Sequence, residues 1–527
     1  MVRYGSIFIN KGILFLATIA FLISVQSCKK EEVTATRVDL DELLSGEIKV
    51  ELNPSGRAPL TAMVSFLSKS PSVLSVTVKG EVPISGTWGE YKREHHDAIL
   101  GLYPNRNNLV ELTISDAQGR YSKTEISITT SDVYDGLPDI QINSSSPELA
   151  KNGLILSDFH IGNTGFFTSF PFAFDQNGVV RWCLDLREYK EIAWTTRRSR
   201  NGNLMYMTGG TIYQVDPMGF EIKKIPLPGY DMHHDFVELP NGNLLLAVTK
   251  YGKIIEKGGP IAPVEDHIIE VSSVTGSVLR EWDLSLLLDV DRVDLSDGGS
   301  DWFHMNGIAY SASDDCLIVS GRNQGVVKVS GNNELIWILA PHKGWENSGP
   351  MGNGASTIPF LLTAIDAGGN PYPGGVQSGE EKSTSFDWPW GQHAPFIMPN
   401  GHLMIFDNGL NRRFTGSDLY SRAVEYEIND LSKTVKETWS YGESRGSSHY
   451  SSIISNADYH ATEHTVLFSP GFSTATGPKA WVVEVTYPDK QVVFEATLDF
   501  KNLTAQGDPG WGTIDIVYRS HRFELYP

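Results

Sequence analysis

The sequence predicts an all-β protein, a six-bladed β-propeller preceded by a small N-terminal β-sandwich. Three observations lead to this prediction. Apolar and polar residues alternate in short runs, which is the period of a strand and not of a helix. Frequent turns are provided by 50 glycines and 27 prolines among the 527 residues. Beyond residue 148, a strand-only unit recurs roughly every 40–60 residues, which is typical of propeller blades.

The first residues form a targeting segment and not part of the fold. A basic start and the apolar run at 12–25 are typical of a secretory signal peptide, which we assign to 1–27. The run is short for a membrane-spanning helix, so an uncleaved anchor is less favoured. Cys28 follows directly, as at a bacterial lipoprotein junction, and residues 29–45 are a polar tether. We expect a lipid on Cys28 and attachment to the cell envelope, in the outer membrane, facing the periplasm or the exterior.

The segment 46–131 predicts the β-sandwich. It contains the alternating runs IKVEL, TAMVSFL, VLSVTVKG, NLVELTI and KTEISITT, separated by Asn-Pro, Ser-Pro and Gln-Gly breaks. Short strands joined by tight turns are typical of two packed antiparallel sheets. The Gly-Leu-Pro and serine-rich stretch at 132–148 then predicts a linker.

The remaining chain, 149–527, predicts the propeller. Each unit holds one β run after a turn, then a hairpin whose second strand often carries a tryptophan. The six hairpins lie at 171–186, 211–227, 267–284, 326–339, 423–441 and 480–498. A Gly- and Pro-rich excursion at 341–390 interrupts the spacing. Six units predict six blades around a central channel, whereas the coils of a β-helix are shorter.

Composition and missing motifs exclude several function classes. The net charge of −20, with no basic stripe, argues against a nucleic-acid partner. After Cys28 only Cys183 and Cys316 remain, both in apolar runs, so we expect buried free thiols and no disulfide. The chain has no P-loop, no GxSxG elbow and no HExxH zinc motif.

A histidine recurs in one kind of place. The runs HHDFVELPNG, DWFHMNG and QHAPFIMPNG each carry one ahead of a turn. His234 and His393 both stand seven residues before an Asn-Gly turn, and His304 stands ten residues before an Asp-Asp pair. If these runs are equivalent strands of their blades, the histidines meet near the mouth of the central channel. Such a cluster in a channel predicts a functional site.

Three imidazoles at one point can bind a metal ion, act as general acids and bases, or supply a nucleophile. Arg322 follows His304 by one strand, and its permanent positive charge would repel a metal ion while favouring a tetrahedral oxyanion. Asn306 lies on the same strand face as His304 and can add an amide donor. We therefore favour an anion site and expect no metal ion. The FDNG run at 406–409 is interpreted as a turn.

Several longer motifs occur along the chain: GLYPN, DWFHMNGIAY, SGRNQGVVKV, WILAPHKGW, QHAPFIMPNGHLMIFDNG and SRAVEYEI. Together they resemble the bacterial aryl-sulfate sulfotransferases, the type that does not use PAPS. The resemblance implies a six-bladed propeller that moves a sulfuryl group from a phenolic sulfate ester to an acceptor phenol without a cofactor. It implies that His393 accepts the sulfuryl group as a covalent sulfohistidine, with ping-pong kinetics. The other site residues that it implies are His234, His304, Asn306, Arg322 and Tyr518.

The resemblance leaves details open. His233 stands beside His234, and we prefer His234 for the sulfate contact because an aspartate follows it. Ile454 occupies a position where the family has a threonine, so we expect Ser452 or Ser455 to supply the hydroxyl. Three alternatives remain: an aryl sulfatase with water as the acceptor, a lipoprotein propeller that only binds a ligand, and a metalloenzyme. We expect contact with a membrane only through the lipid, and a homodimer remains open.

Overall fold

The computed structural model describes residues 35–146, 153–163, 165–293, 299–502 and 512–526. Strands hold 50% of the chain and helices 6%, which confirms the all-β prediction. The predicted signal peptide and Cys28 lie outside the described residues. None of the helices within these ranges is long and apolar enough to cross a bilayer.

The N-terminal unit is a six-stranded sheet. Its strands are β1 (Thr36–Arg37), β2 (Lys49–Leu52), β3 (Thr61–Val78), β4 (Ile84–Leu100), β5 (Asn107–Asp116) and β6 (Arg120–Thr129). The strand order is β1-β6-β5-β3-β2, and β4 also pairs with β3. The short helix α1 (Leu40–Leu43) contacts β3 and β6. Residues 35–45, which we expected to be part of a tether, therefore belong to this folded unit.

The long strand β3 joins the two halves of this sheet. Its first half pairs with β2 and its second half with β5, while β4 runs beside both. Leu74, Val76 and Val78 alternate along the second half and are fully buried, as the period-two pattern predicts. They share one hydrophobic core with Phe172 and Leu498 of the C-terminal unit. The N-terminal sheet is therefore packed against the rest of the protein.

Six further sheets of four or five strands, numbered I to VI in chain order, and one two-stranded hairpin form the C-terminal unit within the described residues. After β7 (Asp139–Ser145), sheet I begins with β8 (Leu154–Asn163), β9 (Phe166–Ser169), β10 (Phe172–Phe174) and β11 (Val180–Cys183). Sheet II contains β12 (Trp194–Arg198), β13 (Leu204–Thr208), β14 (Thr211–Val215) and β15 (Glu221–Pro226). Sheet III contains β16 (Tyr230–Glu238) and β17 (Leu244–Lys250), then a separate hairpin of β18 (Ile255–Glu256) and β19 (Pro260–Ile261), then β20 (His267–Val271) and β21 (Val278–Asp283).

The remaining sheets follow the same plan. Sheet IV contains β22 (Met305–Ser311), β23 (Cys316–Gly321), β24 (Gly325–Ser330) and β25 (Leu335–Leu339). Sheet V contains β26 (Thr363–Ala364), β27 (His393–Ile397), β28 (Leu403–Asp407), β29 (Arg422–Asn429) and β30 (Thr434–Tyr441). Sheet VI contains β31 (Asn456–His460), β32 (Thr465–Ser469), β33 (Lys479–Thr486) and β34 (Val492–Asp499), and the last strand is β35 (Ile516–Phe523).

Helical segments in the described chain are short. Besides α1 there is α2 (Gly374–Gln377) and a set of 3₁₀ segments: Leu284–Leu286, Gly299–Asp301, Pro350–Gly352, Ile358–Phe360, Arg412–Phe414 and Glu443–His449. Two of them, Pro350–Gly352 and Ile358–Phe360, lie with α2 in the long excursion before β27.

All six hairpins that the sequence predicts are present. They are the antiparallel pairs β10–β11, β14–β15, β20–β21, β24–β25, β29–β30 and β33–β34. In each sheet they are the third and fourth strands counted from the inside. In sheets III, IV and V the innermost strands are β16, β22 and β27. These strands carry His234 and His393, and His304 directly precedes β22.

The two ends of the C-terminal unit close it into a ring. β35 pairs with β8 and so becomes the innermost strand of sheet I, while β7 pairs with β34 at the outer edge of sheet VI. β7 lies inside residues 132–148, which we expected to be a linker. The innermost strands are β12, β16, β22, β27, β31 and β35, and each contacts the next. β8, which pairs with β35, contacts β12. The six-bladed propeller is our interpretation of this closed succession of sheets.

Candidate active site

The innermost strands share a distorted backbone at one end of the channel. The antiparallel pairing slips in β12, β16, β22, β27 and β35. Near these slips, or just before a strand, non-glycine residues adopt positive φ: Thr195 at 43°, His234 at 58°, His304 at 54°, Ala394 at 51° and Ile454 at 51°. Bulges redirect side chains, and a positive φ is costly for residues that carry a Cβ. The repeated distortion directs side chains from consecutive sheets toward one point.

A cavity of about 250 Å³ lies at this point. It is lined by Trp194, His234, Glu265, His304, Arg322, His393, Ile453 and Ile454. Four of the side chains that the sequence nominated are thus brought together from sheets III, IV and V. Asn306 and Tyr518 are fully buried and are not among the lining residues.

His393 is held in one tautomer. Its Nδ1 lies 2.8 Å from Oδ1 of Asn408 and 3.1 Å from the carbonyl of Gly391. The amide nitrogen of Asn408 donates to two carbonyls, so Oδ1 is the acceptor and Nδ1 of His393 carries the proton. Nε2 is then unprotonated, and its lone pair accepts a long hydrogen bond from the Ile454 N–H at 3.2 Å, which an incoming substrate would displace. The ring presents its unprotonated nitrogen on the cavity side.

Burial and the nearby Arg322 charge hold the pKa of His393 well below its usual range. Its side chain is only 2% exposed. Both causes penalise the imidazolium, so the ring is neutral at physiological pH. A neutral imidazole with a directed lone pair can act as a nucleophile or as a general base.

Asn408 is a neighbour of His393 that sequence reasoning missed. It follows β28, the strand paired with β27, and we interpreted its FDNG run as a turn. Its amide donates to the carbonyls of Ser451 at 2.8 Å and Ile454 at 3.0 Å. Hydrogen bonds of the Asn408 side chain thus connect His393 to the segment that precedes β31. The only signal in the sequence is an asparagine directly after a strand of the same blade.

Arg322 is the cation of the cavity. Its backbone N–H donates to the carbonyl of His304, which fixes it beside that histidine. Burial lowers the pKa of Arg322, and the charges of Asp301 and Glu265 partly offset this. The buried Nε has no hydrogen-bond partner, and the described residues place no carboxylate within ion-pair distance of the guanidinium. A partly buried, uncompensated guanidinium is a site for an anion.

His234 and His304 meet at Glu265. Their ring centroids are 5.1 Å apart. Nδ1 of His304 lies 2.6 Å from Asp301 and 3.4 Å from Oε2 of Glu265, and Nδ1 of His234 lies 3.7 Å from the same oxygen. Trp194 stacks on His234 at 4.5 Å. Burial raises the pKa of Glu265 to about 7, so this carboxyl can gain or lose a proton near neutrality.

The expected pairing of His234 with the following aspartate is wrong. Asp235 accepts two hydrogen bonds from Arg519, at 3.0 and 3.1 Å, and forms an ion pair with Arg197 at 2.9 Å. The irregular backbone at His234, with φ at 58° where the pairing slips, separates the two side chains, and Asp235 is engaged by the two arginines. His234 nevertheless lines the cavity and His233 does not; the two Nδ1 atoms are 3.1 Å apart.

Asn306 and Tyr518 surround the cavity without lining it. The amide of Asn306 donates to the carbonyl of Gln392 at 2.8 Å, directly before His393. This contact positions the backbone of His393, so a direct contact of Asn306 with an anion stays a prediction. Tyr518 packs against Trp194, with ring centroids 5.3 Å apart, and its buried hydroxyl has no partner. It supports the aromatic wall from behind.

The hydroxyl expected near Ile454 does not reach the cavity. Ser455 donates to Ser451 and to the carbonyl of Ile453, and it accepts from the Gly471 N–H. Ser452 does not line the cavity either. Ile454 contributes its apolar side chain and its N–H, so this wall is less polar than expected.

Groups of metal-ligand type lie at and beside the cavity. One nitrogen or oxygen each from His233, His234 and Glu265 lies within 4.8 Å of the others, and the same holds for Glu265, Asp301 and His304. Arg322 lines the same cavity, and a fixed positive charge disfavours a cation there. We therefore interpret these groups as a proton-sharing cluster that flanks an anion pocket.

Fold and site together define a class of protein: an all-β enzyme whose channel places a neutral histidine beside an arginine in a partly apolar cavity. The chain matches the arylsulfotransferase (ASST) family over residues 139–507 and the arylsulfotransferase Ig-like domain over residues 49–131. It is 30% identical to the arylsulfate sulfotransferase AssT of Escherichia coli O6:H1, over 85% of this chain and 89% of that protein. It is 28% identical to AssT of Lelliottia amnigena over the same shares of both chains. The chain belongs to the arylsulfotransferase family and is an enzyme of that family.

Proposed function

We propose that the protein transfers a sulfuryl group from a phenolic sulfate ester to an acceptor phenol through a covalent sulfohistidine at His393. The observation that carries this proposal is the pairing of the directed Nε2 of His393 with the uncompensated guanidinium of Arg322 in one cavity. The family membership and the names of the two relatives support the substrate class.

In the first half-reaction, the lone pair on Nε2 of His393 attacks sulfur opposite the aryl oxygen. An S–N bond forms, the S–O(aryl) bond breaks, and its electron pair leaves on the phenolate. Negative charge builds on the sulfuryl oxygens, where Arg322, His234 and His304 are the nearby polar groups. One preorganised donor of this kind contributes about 3–4 kcal/mol of transition-state stabilisation.

In the second half-reaction, the oxygen of the acceptor phenol attacks the same sulfur and the phenol loses its proton, which balances the proton gained by the phenolate released in the first half-reaction. The S–O bond forms, the S–N bond breaks, and its electron pair returns to Nε2. Throughout, Asn408 accepts the Nδ1–H of His393, so the ring keeps its orientation and its tautomer. No cofactor is needed because the histidine itself stores the sulfuryl group.

The shape and polarity of the cavity favour a phenol over water as the acceptor. Trp194, Ile453 and Ile454 form an apolar wall, and Tyr518 packs behind Trp194. An aryl ring can bury its surface against this wall, and water gains nothing there. Hydrolysis is the competing outcome, and it is separated by measuring whether added phenol accelerates release of nitrophenol from 4-nitrophenyl sulfate.

Intact-mass analysis after incubation with 4-nitrophenyl sulfate tests the proposal. We expect one sulfuryl group per chain, lost in His393→Ala and retained in the control His96→Ala, an exposed histidine of the N-terminal sheet. Bound ester without a mass increase would indicate a protein that only captures its ligand. Nitrophenol release that ignores added phenol would indicate a sulfatase.

We also propose that Cys28 carries a lipid that attaches the enzyme to the cell envelope, in the outer membrane. The apolar run before Cys28 and the charged residues after it support this proposal. Metabolic labelling with a fatty-acid analogue should mark the protein, and Cys28→Ser should remove the label. Labelling that survives in Cys28→Ser would contradict the assignment.

A further inference from the structure

Glu265 occupies a position that the backbone fixes firmly. It stands in the loop before β20 with φ at 56°, a left-handed conformation that is unusual for a residue with a side chain. Its N–H donates to the hydroxyl of Thr249 in β17 at 3.0 Å. Its carbonyl accepts from the N–H of Met305 at 3.0 Å, next to His304. Neighbouring sheets III and IV therefore hold one strained residue against the cavity, which is common at functional sites.

The side chain of Glu265 is partly buried, and one of its carboxyl oxygens is buried without a hydrogen-bond partner. It lines the cavity with His393 and Arg322, and its Oε2 has no hydrogen-bond partner. The groups that face it are His304 at 3.4 Å and His234 at 3.7 Å, with the charges of Asp301, Asp231 and Arg322 nearby. A buried polar atom without a partner is costly, which points to a partner supplied by the substrate.

The transfer reaction needs a group that alternates between giving and taking a proton. The departing phenolate gains a proton in the first half-reaction, and the acceptor phenol loses one in the second. His393 cannot serve, because its Nδ1–H is bound to Asn408 and its Nε2 carries the sulfuryl group. Arg322 keeps its protons at any physiological pH. Burial holds the pKa of His234 well below its usual range, so that ring stays neutral. Nδ1 of His304 is bound to Asp301, which leaves only its Nε2 for exchange.

We propose that Glu265 is the general acid of the first half-reaction and the general base of the second, an assignment that rests on the sulfuryl transfer proposed above. The protonated carboxyl gives its proton to the phenolate oxygen as the S–O(aryl) bond breaks. The resulting carboxylate takes the proton of the acceptor phenol as the new S–O bond forms. Each full cycle restores the protonated carboxyl, so protons and charges balance.

The charge of the substrate supports the same order of events. A phenolic sulfate ester is an anion, and a neutral carboxyl admits it where a carboxylate would repel it. After the first phenol leaves, the carboxylate meets a neutral phenol as the acceptor. A pKa of Glu265 raised by burial to about 7 lets one group serve both steps near neutral pH. The donor step should therefore slow as pH rises through about 7, and the acceptor step should quicken.

Glu265→Gln tests this assignment because glutamine keeps the size and hydrogen bonding but cannot transfer a proton. With 4-nitrophenyl sulfate, whose phenol is acidic and leaves unaided, formation of the adduct should change only a few-fold. With phenyl sulfate, whose phenol has a pKa of about 10, it should slow by 10²–10⁴-fold. Transfer from the preformed adduct to phenol should slow by a similar factor. The pH dependence near 7 should disappear in both steps.

Two further variants make the test decisive. Glu265→Asp should retain the pH dependence at a reduced rate, because the carboxyl is present but withdrawn. Glu256→Gln replaces an exposed carboxyl of β18 that does not line the cavity, so its rates should stay near those of the unmodified enzyme. A melting curve for each variant establishes that it is folded.

The outcomes separate the two proposals. If the unmodified enzyme forms no adduct, the sulfohistidine proposal fails whatever Glu265 does. If the adduct forms and Glu265→Gln discharges it to phenol at the normal rate, the assignment of Glu265 is wrong. An equal slowing with both esters and an unchanged pH profile would also overturn it, because that is the effect of a merely structural residue.

Discussion

Replacing Arg322 by methionine should lower activity and raise stability at the same time. The guanidinium is partly buried, no carboxylate is within ion-pair distance among the described residues, and burial lowers its pKa. It therefore destabilises the free enzyme and stabilises the anionic transition state. Such opposition between stability and function is expected where a charge is kept for catalysis.

The size of both effects follows from this environment. Removing one preorganised donor to a developing oxyanion costs about 3–4 kcal/mol, which lowers kcat/KM by 10²–10³-fold. An isolated buried charge costs several kcal/mol, and partial exposure together with the attraction of Asp301 reduces this penalty. We expect the free energy of unfolding to rise by about 1–2 kcal/mol in Arg322→Met. Arg322→Lys should keep part of the activity and show no gain in stability.

Steady-state kinetics with 4-nitrophenyl sulfate and phenol measure the first effect, and urea denaturation measures the second. Arg200→Met is the matched control, since Arg200 is exposed in a turn of sheet II and both quantities should stay unchanged. If Arg322→Met loses activity and stability together, the residue supports the fold and our interpretation of the cavity as an anion site is wrong.

Three further predictions concern the surroundings of His393. Asn408→Leu should lower kcat by about 10–100-fold and the free energy of unfolding by about 2–4 kcal/mol, because it leaves two buried carbonyls unpaired; kinetics and urea denaturation measure both. Arg519→Met should destabilise the protein by about 3–5 kcal/mol in the same assay, since Asp235 loses a two-point partner, and unchanged stability would contradict this. Excess EDTA should leave turnover unchanged; a loss that added metal restores would revive the metalloenzyme alternative.

The repeated pattern of the blades could be predicted because it is local. Period-two runs and turn residues define each hairpin, and all six hairpins form where the sequence places them. The same repetition nominated His234, His304 and His393, because equivalent places in equivalent strands meet at one point. The three histidines line one cavity because the six sheets close into a ring, and no single run of the sequence determines this.

Contacts between distant segments could not be predicted. β7 lies in a stretch rich in Gly, Pro and Ser, and only its pairing with β34 makes it a strand. The segment 35–45 looks polar, yet Leu43 and Leu44 are buried in the N-terminal core. In both cases tertiary pairing outweighs local composition.

The missed site residues share one cause. Glu265 lies in a loop with no repeat, and Asn408 lies in a run that has the composition of a turn. Asn408 contacts His393 and Glu265 lies beside His304, and no local pattern encodes these contacts between separate segments. Asp235 gave the opposite error: its place beside His234 suggested a pair, but its partner is Arg519, which comes from a strand 284 residues later in the chain.

Locating the sulfuryl group tests the central claim most directly. The enzyme would be mixed with radiosulfur-labelled aryl sulfate, quenched under alkaline conditions without an acceptor, and digested for peptide mapping. We predict a single labelled peptide containing His393, with the label on its imidazole and discharged by added phenol. Label on another residue, or full turnover to the acceptor with none on His393, would contradict the account.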